Sequence, residues 1–138
     1  MSYIFLSPAF AQHPLTWSQL AEVTYSHTYD STTNTWQYAP HFPPTLQSLD
    51  GKKVSITGYL IPLEIDGDGN TYALSALPYA GCYFCGGGGK ESVLELRLKK
   101  YRQTFQLDEH RTFTGTLYLN PDPWELTFYL ERAEVGKL

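Results

Sequence analysis

The strongest constraint on the fold is a period-two alternation of apolar and polar residues that returns five times after residue 52. Val54, Ile56 and Leu60 face one way with Ser55, Thr57 and Tyr59 opposite, and Tyr72, Leu74 and Ala76 repeat the pattern. Leu94, Leu96 and Leu98 alternate with Glu95, Arg97 and Lys99; Phe113, Leu117 and Leu119 continue, and Leu126, Phe128 and Leu130 complete the series. This period puts the apolar set on one face of each strand. Five turn-separated strands, each apolar on one side, hide those sides by curling until they meet. Gly58 and Gly115 fall mid-strand, where a missing side chain tolerates the sharp coiling of a small barrel. The expected fold is therefore all-β: a single small five-stranded, partly open barrel of the oligonucleotide/oligosaccharide-binding (OB) type spanning residues 16–138. A two-sheet β-sandwich is the alternative.

An N-terminal helix and hairpin extend this barrel. Thr16-Trp17-Ser18-Gln19 has capping-box spacing ahead of Leu20, Ala21 and Val23, which predicts a short helix near residues 17–22. Residues 23–29 and 35–39 read as two extended segments around Asp30-Ser31-Thr32-Thr33-Asn34, a hairpin or edge flap. Pro40, Pro43 and Pro44 are expected to stop it, and Leu49-Asp50-Gly51-Lys52 turns into the main body.

Charge and hydropathy restrict the partners. Ten Lys and Arg against fourteen Asp and Glu give a net charge of −4, which repels phosphate backbones, so nucleic acid is not expected as a partner. The chain has no run of about eighteen apolar residues, so no membrane span is expected. Residues 1–15 read as the remnant of an export signal or a disordered arm. Ala9-Phe10-Ala11 has the small-x-small form of a signal-peptidase site, although the basic and most of the apolar region that precede such a site are missing. A periplasmic or otherwise exported location is the expectation, with a cytosolic protein carrying a frayed arm as the alternative.

The local constellation with chemistry in it is Cys82-Tyr83-Phe84-Cys85, followed by Gly86-Gly87-Gly88-Gly89-Lys90, in the long connection between the second and third barrel strands. Connections of that length are often functional. Cys82 and Cys85 match half of a zinc knuckle, in which a tight turn brings two thiolates to one ion. Structural zinc takes four ligands, so two others must come from His27, His41 or His110, with His13 a weaker candidate, from a carboxylate, or from a second chain across a two-fold axis. The competing reading is a disulfide across the short turn, worth less than the roughly 3 kcal/mol expected for a fifteen-residue loop, or a pair of free buried thiols. Redox catalysis by the pair is disfavoured. Thiols of that kind owe their acidity partly to the start of a helix, and four glycines propagate a helix poorly.

Other motifs fail on spacing. A phosphate loop would need glycine at Phe84 and Ser or Thr at Glu91; a dinucleotide fingerprint fails at Glu91 as well. A c-type haem would need histidine at Gly86. Asp66-Gly67-Asp68-Gly69-Asn70 begins like a calcium loop, but Thr71 and Leu77 stand where glycine and glutamate are required, and a β-hairpin turn is expected. Glu64, Asp66 and Glu109 read as solvated. The glycine run is expected to let the cysteine loop bend closely over the barrel.

Leu49-Asp50-Gly51-Lys52-x-Val54-x-Ile56-x-Gly58-Tyr59-x-x-Pro62-Leu63 and Pro78-Tyr79-Ala80-x-Cys82-x-Phe84-Cys85-Gly86-Gly87, with Phe113-x-Gly115-x-Leu117-x-Leu119-Asn120, resemble a bacterial domain-of-unknown-function family of exported proteins and lipoproteins. Within it, the chain is similar to the Bacteroidetes-type branch with a cysteine loop. The resemblance implies an exported, non-enzymatic accessory domain with a protein partner in the cell envelope, and weakly favours metal handling. Gly88-Gly89-Lys90 departs from the Ala-Gly-Pro expected there, which implies a looser loop, and the lipobox cysteine of a lipoprotein is lacking. The leading expectation is zinc, or another transition metal, on Cys82 and Cys85 with His110 as the further ligand. A partner- or ligand-binding barrel braced by a Cys82–Cys85 disulfide is the alternative, and a thiol oxidoreductase the second.

Overall fold

The capping signals at the N-terminus fold as their chemistry requires. In the computed structural model, which describes residues 13–63, 71–100 and 105–136, a two-residue strand β1 (His13–Pro14) leads into helix α1 (Trp17–Leu20). The Thr16 hydroxyl accepts from the Gln19 backbone N–H at 3.2 Å, and the Gln19 side chain accepts from the Thr16 N–H at 2.9 Å, completing the capping box. Strand β1 docks parallel to the barrel, and Leu15 is buried with its N–H donating to Ser55 O at 2.8 Å. Of the segment read as an export remnant or arm, residues 13–15 are thus docked, and residues 1–12 lie outside the described residues.

Strands β2 (Thr24–Asp30) and β3 (Thr35–His41) form the expected hairpin, paired in register from Thr24↔His41 to Asp30↔Thr35. The hairpin ends at His41, just ahead of Pro43 and Pro44 as expected, but Pro40 does not stop it. Strand β3 runs through Pro40, and Pro44 opens a second helix, α2 (Pro44–Gln47). The hairpin is a two-stranded sheet in which Pro40 lies on an edge, and Pro44 occupies the first helical turn, where its fixed φ fits and its missing N–H has no partner to lose.

The barrel consists of β4 (Lys53–Leu63), β5 (Thr71–Ser75), β6 (Val93–Leu98), β7 (His110–Leu119) and β8 (Phe128–Val135). They follow one another as β4-β5-β6-β8-β7, and β7 returns to pair with β4, so one sheet closes on itself. All neighbours are antiparallel except β6 and β8. This is the expected five-strand barrel, closed where a partly open one was expected, and not the two-sheet sandwich. Its interior holds Val54, Ile56, Leu60, Tyr72, Leu74, Leu94, Leu96, Phe113, Leu117, Phe128 and Leu130, and Leu20 and Leu46 bring the two short helices onto the same core. Leu126 lies ahead of β8 instead of within it.

Closure depends on the two mid-strand glycines. The first half of β4 pairs with β7 and the second half with β5, the change falling at Gly58 and Tyr59. A Cβ on Gly58 would sit 2.6 Å from Ser75 O and 3.1 Å from the ring of Trp17, whose indole N–H donates to Thr57 O at 2.7 Å. A Cβ on Gly115 would lie 2.7 Å from Glu131 O. There the register of β8 shifts against both β6 and β7, and Arg132 takes a positive φ of 54°, the signature of a bulge that sharpens the coil. Residues 64–70, including the segment read as a hairpin turn in preference to a calcium loop, lie outside the described residues; the flanking strands pair antiparallel with Leu63 opposite Thr71.

Candidate functional site

The connection from β5 to β6 is folded and clamped. It contains three short 3-10 turns, Tyr79–Gly81, Tyr83–Cys85 and Lys90–Ser92. Gly86, at φ +81°, ends the middle turn in the left-handed region. Gly87 passes so close to Gly81 that a Cβ would collide with the Gly81 carbonyl. The loop is also fastened at both ends. The Tyr79 N–H donates to Asp108 Oδ1 at 2.8 Å, and the Lys90 ammonium donates to Pro123 O at 2.8 Å and Glu125 O at 3.0 Å. The looser loop implied by Gly88-Gly89-Lys90 is therefore not what forms, because Lys90 ties it to the β7–β8 connection.

Clamping lays the loop on the outside of the barrel. Outward-facing Ala73 of β5 and Val93 of β6 are buried with Ile61 and Cys82 in a second, smaller cluster, against which Leu63, Tyr83 and Leu126 pack. Cys82 is thus a fully buried packing residue, whereas Cys85 is exposed, and the two are unbonded. Tyr79 lies beside them. Its phenol is held above its ordinary pKa first by a hydrogen bond with the Cys85 thiol, then by the charge of Cys85, with burial and Cys82 contributing less. No helix starts at the motif, since Tyr83–Cys85 is a single turn closed by Gly86.

The histidines are placed elsewhere. Among the described residues no group of three or more His, Cys, Asp or Glu is arranged to hold a metal ion, so His13, His27, His41 and His110 are not brought to the cysteine pair. His110, the candidate further ligand, begins β7 and lays its ring on Tyr59 with centroids 4.6 Å apart. The barrel pairs the two residues directly across β4 and β7.

Beyond the loop, the outer face of β6 and β8 stays open as a groove of about 380 Å³. One wall is apolar, from Leu63, Phe84 and Leu126, and the floor carries Glu95, Arg97 and Tyr129. The Arg97 guanidinium lies 4.1 Å above the Tyr129 ring centroid and pairs with Glu95 at 2.8 Å and with Glu131. Tyr118 stacks on Tyr129 with centroids 5.3 Å apart and planes 19° from parallel. The β7–β8 connection that borders the groove is shaped by its own side chains: Asn120 Oδ1 accepts from the Asp122 N–H at 3.0 Å, and Asp122 Oδ1 from the Trp124 N–H at 2.9 Å. Trp124 is 63% exposed there.

Sequence reasoning missed this groove. It assigned Glu95 and Arg97 to the polar side of a strand, and the signal available was that Tyr118 and Tyr129 also fall on outward positions of neighbouring strands. Among the described residues no helix is long and apolar enough to cross a membrane.

A crystal structure of a DUF3299 family protein from Pseudomonas aeruginosa PAO1 matches with a TM-score of 0.54 at 19% identity, over 93% of this chain and 98% of that one. Likeness at that identity shows a shared fold. Among curated proteins none matches the sequence. A family model described as "Protein of unknown function (DUF3299)" matches residues 6–116, well over half of the chain. With sequence family and fold in agreement, the chain belongs to the DUF3299 family of proteins of unknown function.

Proposed function

We propose that this protein is a non-enzymatic binding module of the cell envelope whose groove over β6 and β8 holds an extended segment of a partner protein, with Cys82 bracing the loop that forms one wall. The observation that carries the reading is the groove itself. An apolar wall of Leu63, Phe84 and Leu126 lies beside a cation held over an aromatic ring, a concave surface that is apolar on one side and polar on the other. Because Arg97 is already paired with two carboxylates, an isolated anion gains little from it, whereas a peptide with alternating apolar and charged side chains matches both wall and floor. Export is supported by the small-x-small pattern at Ala9-Phe10-Ala11 and by the resemblance of the LDGK strand and cysteine loop to an exported branch of the family. Selection of peptides from a random display library tests the groove. Selected peptides are expected to lose at least about tenfold in affinity for a Phe84→Ala, Arg97→Ala double variant. Equal binding to wild type and variant overturns the reading.

A second reading places zinc on Cys82 and Cys85. Its support is that Tyr79 hydrogen-bonds the Cys85 thiol and also lies within electrostatic range of Cys82. Two further donors would come from outside the described residues, such as a second chain, and Cys82 would have to leave its apolar contacts. Elemental analysis of protein purified without an affinity tag tests it. Stoichiometric zinc that disappears in Cys85→Ser supports this reading, and metal unchanged by that substitution removes it.

A further inference from the structure

The β2–β3 hairpin turns one face toward the cysteine loop, and the cleft between them, of about 360 Å³, is independent of the groove over β6 and β8. Register explains its lining. Tyr25, His27 and Tyr29 alternate along β2, and Tyr38 and Trp36 lie opposite His27 and Tyr29 on β3, so these rings project from one side. His27 and Tyr38 meet edge to face with centroids 4.7 Å apart and planes at 73°, and form two walls at nearly a right angle. Tyr25 is fixed at the base by its hydroxyl, 2.7 Å from Thr127 Oγ1. Tyr83 closes the cleft from the loop side, beside Lys90 and Glu91.

The two charges in this cleft are not equivalent. The Lys90 ammonium is tied off by the Pro123 and Glu125 carbonyls. The Glu91 carboxylate has no hydrogen bond or ion pair among the described residues. It folds back over Gly89, where a Cβ would collide with it. Aromatic faces carry negative charge density, and rings set at angles around an unpaired carboxylate attract a bulky, weakly hydrated cation more than a small metal ion that keeps its water.

We infer that the cleft walled by Tyr25, His27, Tyr38 and Tyr83, with Glu91 as its counter-charge, binds an organic quaternary or methylated ammonium group. Tetramethylammonium and choline are the probes, titrated calorimetrically into the full chain. Saturable binding is expected, and the neutral carbon isostere of choline, with a tert-butyl group in place of trimethylammonium, should bind at least about tenfold more weakly. Glu91→Gln and Tyr38→Ala should each weaken choline binding by about tenfold, and Gly89→Ala should do the same by displacing the carboxylate. Should Tyr38→Ala fail to fold, Glu91→Gln on the loop surface carries the test. A parallel arm with phosphatidylcholine vesicles separates the sources: binding of free choline alone points to a small soluble ammonium, and binding of vesicles competed by choline points to a lipid headgroup. Absence of saturation with both probes and vesicles, equal affinity for the neutral isostere, or unchanged affinity in Glu91→Gln overturns the inference.

Discussion

Cys82 and Cys85 are three residues apart in one turn, yet the first is sealed among Ile61, Ala73 and Val93 while the second is exposed beside Tyr79. A 3-10 turn by itself would align residues three apart, but Cys82 lies just ahead of the turn, with an extended backbone at φ −84° and ψ 174°, so its side chain leaves the face that Cys85 presents. One side of the loop must cover the outward faces of β5 and β6, and Cys82 falls on that side. A Cys-x-x-Cys motif is thus one pattern in sequence and two environments in space, and a small thiol buried among aliphatic groups behaves as a hydrophobe.

Thiol labelling should separate the two cysteines most strongly. In the native protein Cys85 should react at once and Cys82 only on local opening, with rates at least about 100-fold apart; equal rates would show that the loop does not stay seated. Next in size, Cys82→Ser should lower the free energy of unfolding by about 1–3 kcal/mol in denaturant titrations, because a hydroxyl would be buried without a designed partner. An effect near zero would mean that the outer cluster contributes nothing. Gly87→Ala should cost a comparable amount, about 1–3 kcal/mol, since the obstacle is the backbone of Gly81 instead of a movable side chain. Smallest of all, Cys85→Ser should change stability by no more than about 0.5 kcal/mol. If zinc is bound the difference disappears: both thiols become protected from labelling, and Cys85→Ser costs as much as Cys82→Ser.

Much of the fold was legible because its causes are local or repetitive. Alternation in β4, β5, β6 and β7 identified the inward residues, and Gly58 and Gly115 marked the places where neighbouring backbones approach too closely for a side chain. The capping box at Thr16 and Gln19 was read from four residues and is present in full. The prolines were read less well. Pro40 sits within an edge strand and Pro44 begins a helix, because their missing N–H is harmless wherever no partner is required. At the site, the sequence singled out the loop but not the fate of its sulfurs, nor the groove, whose members come from β4, the cysteine loop, β6, the β7–β8 connection and β8.

Five apolar strand faces and two mid-strand glycines were enough to specify a small all-β barrel, because period-two patterning admits few ways to hide five such faces; full closure came with the pairing of β7 to β4. Which outward faces stay open depends on long-range packing. Ala73 and Val93 are buried, and Arg97 and Tyr129 frame a groove, according to where a loop clamped by Asp108 and by the carbonyls of Pro123 and Glu125 comes to rest. Those contacts join residues about thirty positions apart, so their geometry exists only once the barrel has brought the segments together.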